Sequence, residues 1–241
     1  MLRSLVLLFW PPLLCVAGCV PDDEARDLGG PDMTATAPAD LAEMDLLASF
    51  DAPPPCVAQT IFDGTSTIAA QGWSVASQTG SASAITTDGV LVDFNTTGLN
   101  AQALVTKDIG IATGAAYSLE WRLKVIATNG HNQFDAPVAF MASFTPPFGT
   151  TTERSQMIYF DAAAIGWADN TQSFAVDTTS AVHMYRLDVS AAGHAEVRVD
   201  GTLALMRDGF ITTGTVAVGD QTNDVNVDAH FDVYQVRKLC P

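Results

Sequence analysis

The stretch YSLEWRLKV, residues 117–125, places Tyr117, Leu119, Trp121, Leu123 and Val125 at every second position, with Ser118, Glu120, Arg122 and Lys124 between them. Side chains of an extended strand alternate between its two faces, so a period of two with one apolar set predicts a strand buried on one side only. A helix of the same nine residues would scatter its aromatic and charged groups around the whole barrel. Working outward, HMYRLDV (183–189) repeats the pattern with Tyr185, Leu187 and Val189 inward. HAEVRVDG (194–201) does so with Ala195, Val197 and Val199, and Ala191-Ala192-Gly193 joins the two as a hairpin.

Further strand-like runs are GVLVDF (89–94), QALVTKD (102–108), APVAFMASF (136–144), SQMIYFDA (155–162), TLALMRDG (202–209), TVAVGD (215–220) and HFDVYQVRKL (230–239). Gly, Asp, Asn, Thr and Pro separate them at short intervals, and no helical periodicity competes. About a dozen strands in one unit predict an all-β protein, a two-sheet antiparallel sandwich.

The 241-residue chain does not begin with this domain. Residues 1–18 carry Arg3, an apolar run from Leu5 to Leu14 broken by Pro11 and Pro12, and then small residues, the layout of an export signal. A bilayer span needs roughly 20 apolar residues, and this run is too short. Val16-Ala17-Gly18-Cys19 resembles the lipobox of bacterial lipoproteins, a resemblance that implies cleavage before Cys19, acylation of its thiol and a membrane anchor. Val20 at the next position resembles the pattern of outer-membrane lipoproteins. Ordinary secretion is the competing reading.

Residues 19–55 form a tether. Between Val20 and Pro55 stand nine acidic residues, one basic residue and six prolines, a composition expected to stay disordered because it cannot bury enough apolar surface. Residues 56–241 are then one domain with nine basic and eighteen acidic residues. That charge excludes nucleic acid as a partner. Cys56 and Cys240 stand at the two ends of the domain in an oxidising compartment. They are expected to pair, closing a loop whose constraint is worth up to about 5 kcal/mol, the alternative being two free thiols at the chain ends.

The opening IFDG…GW with Phe62 and Trp73, the DGVLVDF strand, the long YSLEWRLKV strand, the paired HMYRLDV…HAEVRVDG ending in Asp200-Gly201, and the closing FDVYQVRKL together resemble a concanavalin-A-like jelly roll of the laminin-G or laminarinase type. The resemblance covers essentially all of 56–241. It implies first and last strands side by side, in agreement with the expected Cys56–Cys240 pair. It also implies a structural calcium between the opening strand and an aspartate of the last strand, here Asp63 and Asp232.

The hydrolases of this superfold carry Glu-x-Asp-x-x-Glu along one strand, so that acid, helper and nucleophile share a face. That motif is absent, and the domain's three glutamates, Glu120, Glu153 and Glu196, are far apart in sequence. No Gly-x-Ser-x-Gly occurs. The histidines, 131, 183, 194 and 230, stand singly, which disfavours zinc. No cofactor is required, and calcium is the best metal candidate: GDQTNDVNVDAHFD supplies Asp220, Asn223, Asp224, Asn226, Asp228 and Asp232, the oxygen donors calcium takes. The competing reading is that these residues only favour turns.

For a carbohydrate ligand, aromatic and planar polar side chains mark Tyr159, Trp167, Arg186, Asp188 and Arg198. A solvated sheet face with cross-strand ion pairs is the alternative for the last three. Phe144 and Phe148 around Pro146-Pro147 mark an apolar loop. The resulting expectation is a lipid-anchored outer-membrane protein presenting a non-catalytic domain that binds carbohydrate or an envelope protein. The alternatives are a glycoside-processing enzyme like the 3-keto-disaccharide hydrolases, which also open on a GW strand, and a purely structural or adhesive module.

Overall fold

The structure is a computed structural model that describes residues 57–76, 84–146, 149–222, 224 and 226–240. The chain divides into two units, residues 1–51 and 52–241, and every described residue belongs to the second. The leader, Cys19, the acidic segment, Cys56, Phe148 and Asn223 lie outside the described residues.

In chain order the strands are β1 (Gln59–Asp63), β2 (Ser74–Ala76), β3 (Ile85–Thr87), β4 (Val92–Asn95), β5 (Ala103–Asp108), β6 (Tyr117–Thr128) and β7 (Ala139–Met141). A one-turn helix, α1 (Thr151–Ser155), precedes β8 (Ile158–Asp161), β9 (Ala164–Trp167), β10 (Ser173–Ala175), β11 (His183–Val189), β12 (Ala195–Val199), β13 (Thr202–Arg207), β14 (Thr215–Asp220) and β15 (Ala229–Leu239). They form two antiparallel sheets. One has eight strands in the order β13-β12-β11-β6-β15-β4-β3, with β1 also on β15. The other has seven, in the order β10-β9-β8-β7-β14-β5-β2. This is the expected two-sheet antiparallel jelly-roll sandwich.

The alternating stretch is the spine of the larger sheet. β6 pairs with β11 on one side and β15 on the other, and Tyr117, Leu119, Trp121, Leu123 and Val125 are all buried in the core between the sheets. Trp121 stacks on Phe140 of the opposite sheet at 3.8 Å between ring centres and meets Phe160 edge-on at 6.4 Å. Each such aromatic contributes roughly 1.5–3 kcal/mol by burial. Its indole Nε1 is buried with no hydrogen-bond partner, a cost the apolar contacts outweigh.

The predicted hairpin forms with Tyr185 opposite Val199, Leu187 opposite Val197 and Val189 opposite Ala195. Asp200-Gly201 makes the next turn, with both residues at positive φ (48° and 85°). That is the two-residue geometry whose twist suits a hairpin and that Asp-Gly favours. In the opening motif, Phe62 packs edge-on against Trp73 at 4.8 Å, and the Trp73 indole donates to the Ile61 carbonyl at 2.6 Å. β1 lies along β15 with Gln59 opposite Lys238, so the strands that open and close the domain are neighbours.

Two expectations need correction. α1 is helical although no helix was expected. Thr150 accepts from the Glu153 backbone while the Glu153 carboxylate accepts from the Thr150 backbone, a capping box that satisfies the first free N–H groups. The run SQMIYFDA is therefore a strand only from Ile158 onward.

Candidate functional site

One end of the sandwich concentrates polar side chains. Six of the chain's seven asparagines are described: Asn95, Asn100, Asn129, Asn132 and Asn226 stand by the end of β4, the end of β6 and the start of β15, and Asn170, after β9, reaches them through His131. All are exposed. Four of them share hydrogen bonds with the loop before β15. Asn132 donates to Asp224 at 2.8 Å, Asn129 donates to Asp228 at 3.0 Å and to the Asn226 carbonyl, and the Asn226 N–H donates to Asn100 at 3.1 Å. Asn100, Asn170 and Asn226 have positive φ, the left-handed conformation Asn tolerates better than other non-glycine residues.

His131 is the centre of this rim. Its ring lies flat on Tyr159, 3.4 Å between ring centres at 11°, while Nδ1 contacts Asp161 and Nε2 contacts Asn170, both at 2.7 Å. Burial works against the charged ring, but the hydrogen bonds of Asp161 and Asn170 and the Asp161 charge outweigh it, so His131 titrates above its ordinary value. Tyr159 in turn lies across Gly166, where a Cβ would come within 2.5 Å of the phenol oxygen. Behind the rim, Phe134 holds φ at 68°. The Phe134 carbonyl accepts both Nε and Nη2 of Arg154, which also pairs with Asp135. The loop from Asn129 to Asp135 is therefore built from fixed parts rather than left to solvent.

Of the residues expected to meet a ligand, the structure brings only Tyr159 to this rim, and it is covered by His131 with 4 % of its surface exposed. Trp167 is not a stacking platform. It points into the core at 0 % exposure, with the Arg207 guanidinium 5.0 Å from its ring centre. Arg186, Asp188 and Arg198 lie on the outer face of the eight-stranded sheet. The register sets Arg186 opposite Arg198 and Asp188 opposite Glu196, like charges that repel. The ion pairs therefore run along each strand, Arg186 with Asp188 at 2.8 Å and Arg198 with Glu196 at 2.6 Å, not across strands as expected.

Nor do the expected calcium ligands form one site. Asp63 accepts from the backbone and hydroxyl of Thr65 and stands opposite Gln235, away from Asp232, whose partner is Asp93. Asp224 and Asp228 accept from Asn132, Asn129 and the Gly98 N–H. Donors pointing hydrogen at these oxygens suit a hydrogen-bonded rim better than a cation. Asp220 is buried, accepting from Thr222 N–H and contacting Thr96 Oγ1 at 2.5 Å. Burial pushes its carboxyl up to about 8, with the Asp228 charge adding to the shift.

Among the described residues, one group has metal-ligand geometry: Asp93, His230 and Asp232, whose donor atoms lie within 4.8 Å of one another. Burial raises the Asp232 carboxyl above its usual range, and Asp93 and Asp88 add to the shift while His230 and Lys124 oppose it.

No protein-family model matches the chain, and no curated protein matches it in sequence. Solved structures do match in fold. The carbohydrate esterase vb_24B_21 from the Shiga toxin-encoding bacteriophage phi24B is 14 % identical with a TM-score of 0.52, over 77 % of this chain and all of that one. The metal-free carbohydrate recognition domain of Emp46p is 12 % identical with a TM-score of 0.48, over 75 % of this chain and 95 % of that one. The calcium- and mannose-bound exoplasmic/lumenal domain of VIP36 is 10 % identical with a TM-score of 0.46, over 69 % and 82 % of the two chains. The similarity is one of fold alone.

Proposed function

We propose that residues 56–241 form a carbohydrate-binding domain whose ligand meets the asparagine rim, and that the chain is held at the outer membrane by lipid on Cys19. The observation that carries the binding reading is the group of exposed asparagines Asn100, Asn129, Asn132 and Asn226 hydrogen-bonded around Asp224 and Asp228. A primary amide both donates and accepts, which matches a sugar hydroxyl that does the same. The carboxylates Asp224 and Asp228 hold two of these amides in place, and loops on a rigid sandwich are the common location of binding residues. The recognition domains among the structural neighbours agree with this reading without carrying it.

Binding, not turnover, is the role the carboxylates support. Among the described residues Asp220 is the one acid with a strongly raised titration point, and it is 1 % exposed and enclosed by Thr96 and Thr222, so it meets no substrate. The anchor rests on the lipobox resemblance at residues 16–19, and intact mass of the mature protein tests it: acyl mass on Cys19 is expected, and an unmodified cysteine contradicts it. A Cys56–Cys240 disulfide is part of the same proposal, supported by the β1–β15 pairing that puts Gln59 beside Lys238.

A glycan array probed with the full-length chain, in calcium and again in EDTA, tests the binding. Saturable binding to a defined set of glycans, weakened at least about tenfold by Asn132→Ala, is the expected outcome, since one lost hydrogen bond to a ligand leaves its partner unpaired at roughly 1–3 kcal/mol. A blank array in both buffers contradicts the proposal.

A further inference from the structure

We propose that Asp93, His230 and Asp232 hold a divalent transition-metal ion of the zinc class on the outer face of the eight-stranded sheet, where His230 stands opposite Asn95. The strand register makes the site. Asp93 on β4 stands directly opposite Asp232 on β15, and His230 precedes Asp232 by two residues. Val92, Phe94, Phe231 and Val233 are all buried in the core, so alternation turns these three side chains together to the other face.

The decisive detail is how His230 meets Asp93. All four described histidines lie against an aspartate. His131, His183 and His194 do so through aligned hydrogen bonds to Asp161, Asp200 and Asp208, at 2.7, 2.7 and 2.6 Å. His230 Nε2 lies 2.8 Å from Asp93 Oδ1, yet that oxygen is buried and has no hydrogen-bond partner. The two atoms are close without being aligned as a hydrogen bond. Ligands of one ion have that relation, because each aims at the ion, about 2.0–2.2 Å away for nitrogen and carboxylate donors, and not at its neighbour.

Charge and donor type agree. Two carboxylates opposite each other across a strand pair repel. Asp88 adds a third negative charge nearby, against Lys124, which stands opposite Asp232 on β6. A dication offsets this excess. One imidazole and two carboxylates form a three-ligand set with a fourth position left for water, the arrangement of open zinc sites, whereas calcium takes oxygen ligands alone. Thr86 Oγ1 donates to the other oxygen of Asp93 at 3.4 Å, an outer contact that orients the ligand. All three residues are partly exposed, so an ion has a path in.

The full-length chain, stripped with a chelator, is titrated with cobalt(II), and its visible absorption is followed before displacement by zinc. One equivalent is expected to give the absorption of a low-coordinate site. His230→Gln and Asp93→Asn should each weaken it at least about tenfold, since even outer-contact changes cost metal sites 10–100-fold, while His194→Gln leaves it unchanged. Absence of saturable binding by the wild-type chain overturns the proposal, whether or not the variants fold. Retention of full affinity by a folded His230→Gln also overturns it, as does thermal stabilisation by calcium with none by zinc. Glycan binding that persists in His230→Gln separates this outcome from that of the rim.

Discussion

Asp220 shows how one buried group sets a property of the whole domain. Its carboxyl titrates at about 8 against an ordinary 3.8, so the folded state holds a proton that the unfolded chain releases at lower pH. Stability is therefore fully present below about pH 4, falls as the pH rises from there toward 8, and levels off above. Protonated, Asp220 can donate to Thr96 Oγ1, leaving the Thr96 hydroxyl for the Ala229 carbonyl at 3.1 Å. An asparagine amide donates in the same place. Asp220→Asn is thus expected to flatten this pH dependence, measured by urea unfolding across that range. At the other extreme, Asp188→Asn removes a surface ion pair and should change stability by no more than about 1 kcal/mol, with glycan binding unaltered. In the sequence Asp220 is only the end of TVAVGD and one of the candidate calcium ligands. Its enclosure depends on Thr96, 124 residues away in the chain, and no local pattern carries that.

Among the elements, those with strong alternation were legible. β6, β11 and β12 follow their apolar period residue by residue, and Asp200-Gly201 announces its turn, because each signal is local. β9 and β10 went unread: AIGW and SFA are too short to show a period, and β10 has one intermediate residue between two exposed ones. α1 carried a readable signal, Thr150 with Glu153 three residues on, within a stretch otherwise taken as loop and strand. Gly166 of β9 makes an element-level prediction. A Cβ there meets the Tyr159 phenol oxygen at 2.5 Å and the Gln172 carbonyl at 2.6 Å. Gly166→Ala should destabilise by about 1–3 kcal/mol and, by shifting the ring on which His131 rests, weaken glycan binding as well. Chemical denaturation and the array read the two effects separately.

For the whole molecule, the core joins both sheets through Trp121, and Trp121→Ala is expected to cost about 3–5 kcal/mol in equilibrium unfolding. The sandwich class was legible because strand number and spacing are properties of the sequence. The site was not, because its parts come from the loops after β4, β6, β9 and β14, and only folding brings Asn100 to Asn226 or Asn132 to Asp224. Trp167 was misplaced for the same reason. An aromatic chosen by type alone belongs to the core as readily as to a surface, and its neighbours in space decide which. The same limit hid His230, single in sequence but two residues from Asp232 and diagonal to Asp93 across a strand pair. Backbone amide shifts recorded while the full-length chain is titrated with an oligosaccharide found on the array test the central claim most directly. The account predicts saturable shifts confined to residues 95–100, 129–135, 161, 169–171 and 224–228. Shifts centred on Arg186, Asp188 and Arg198 instead, with the rim silent, would contradict it.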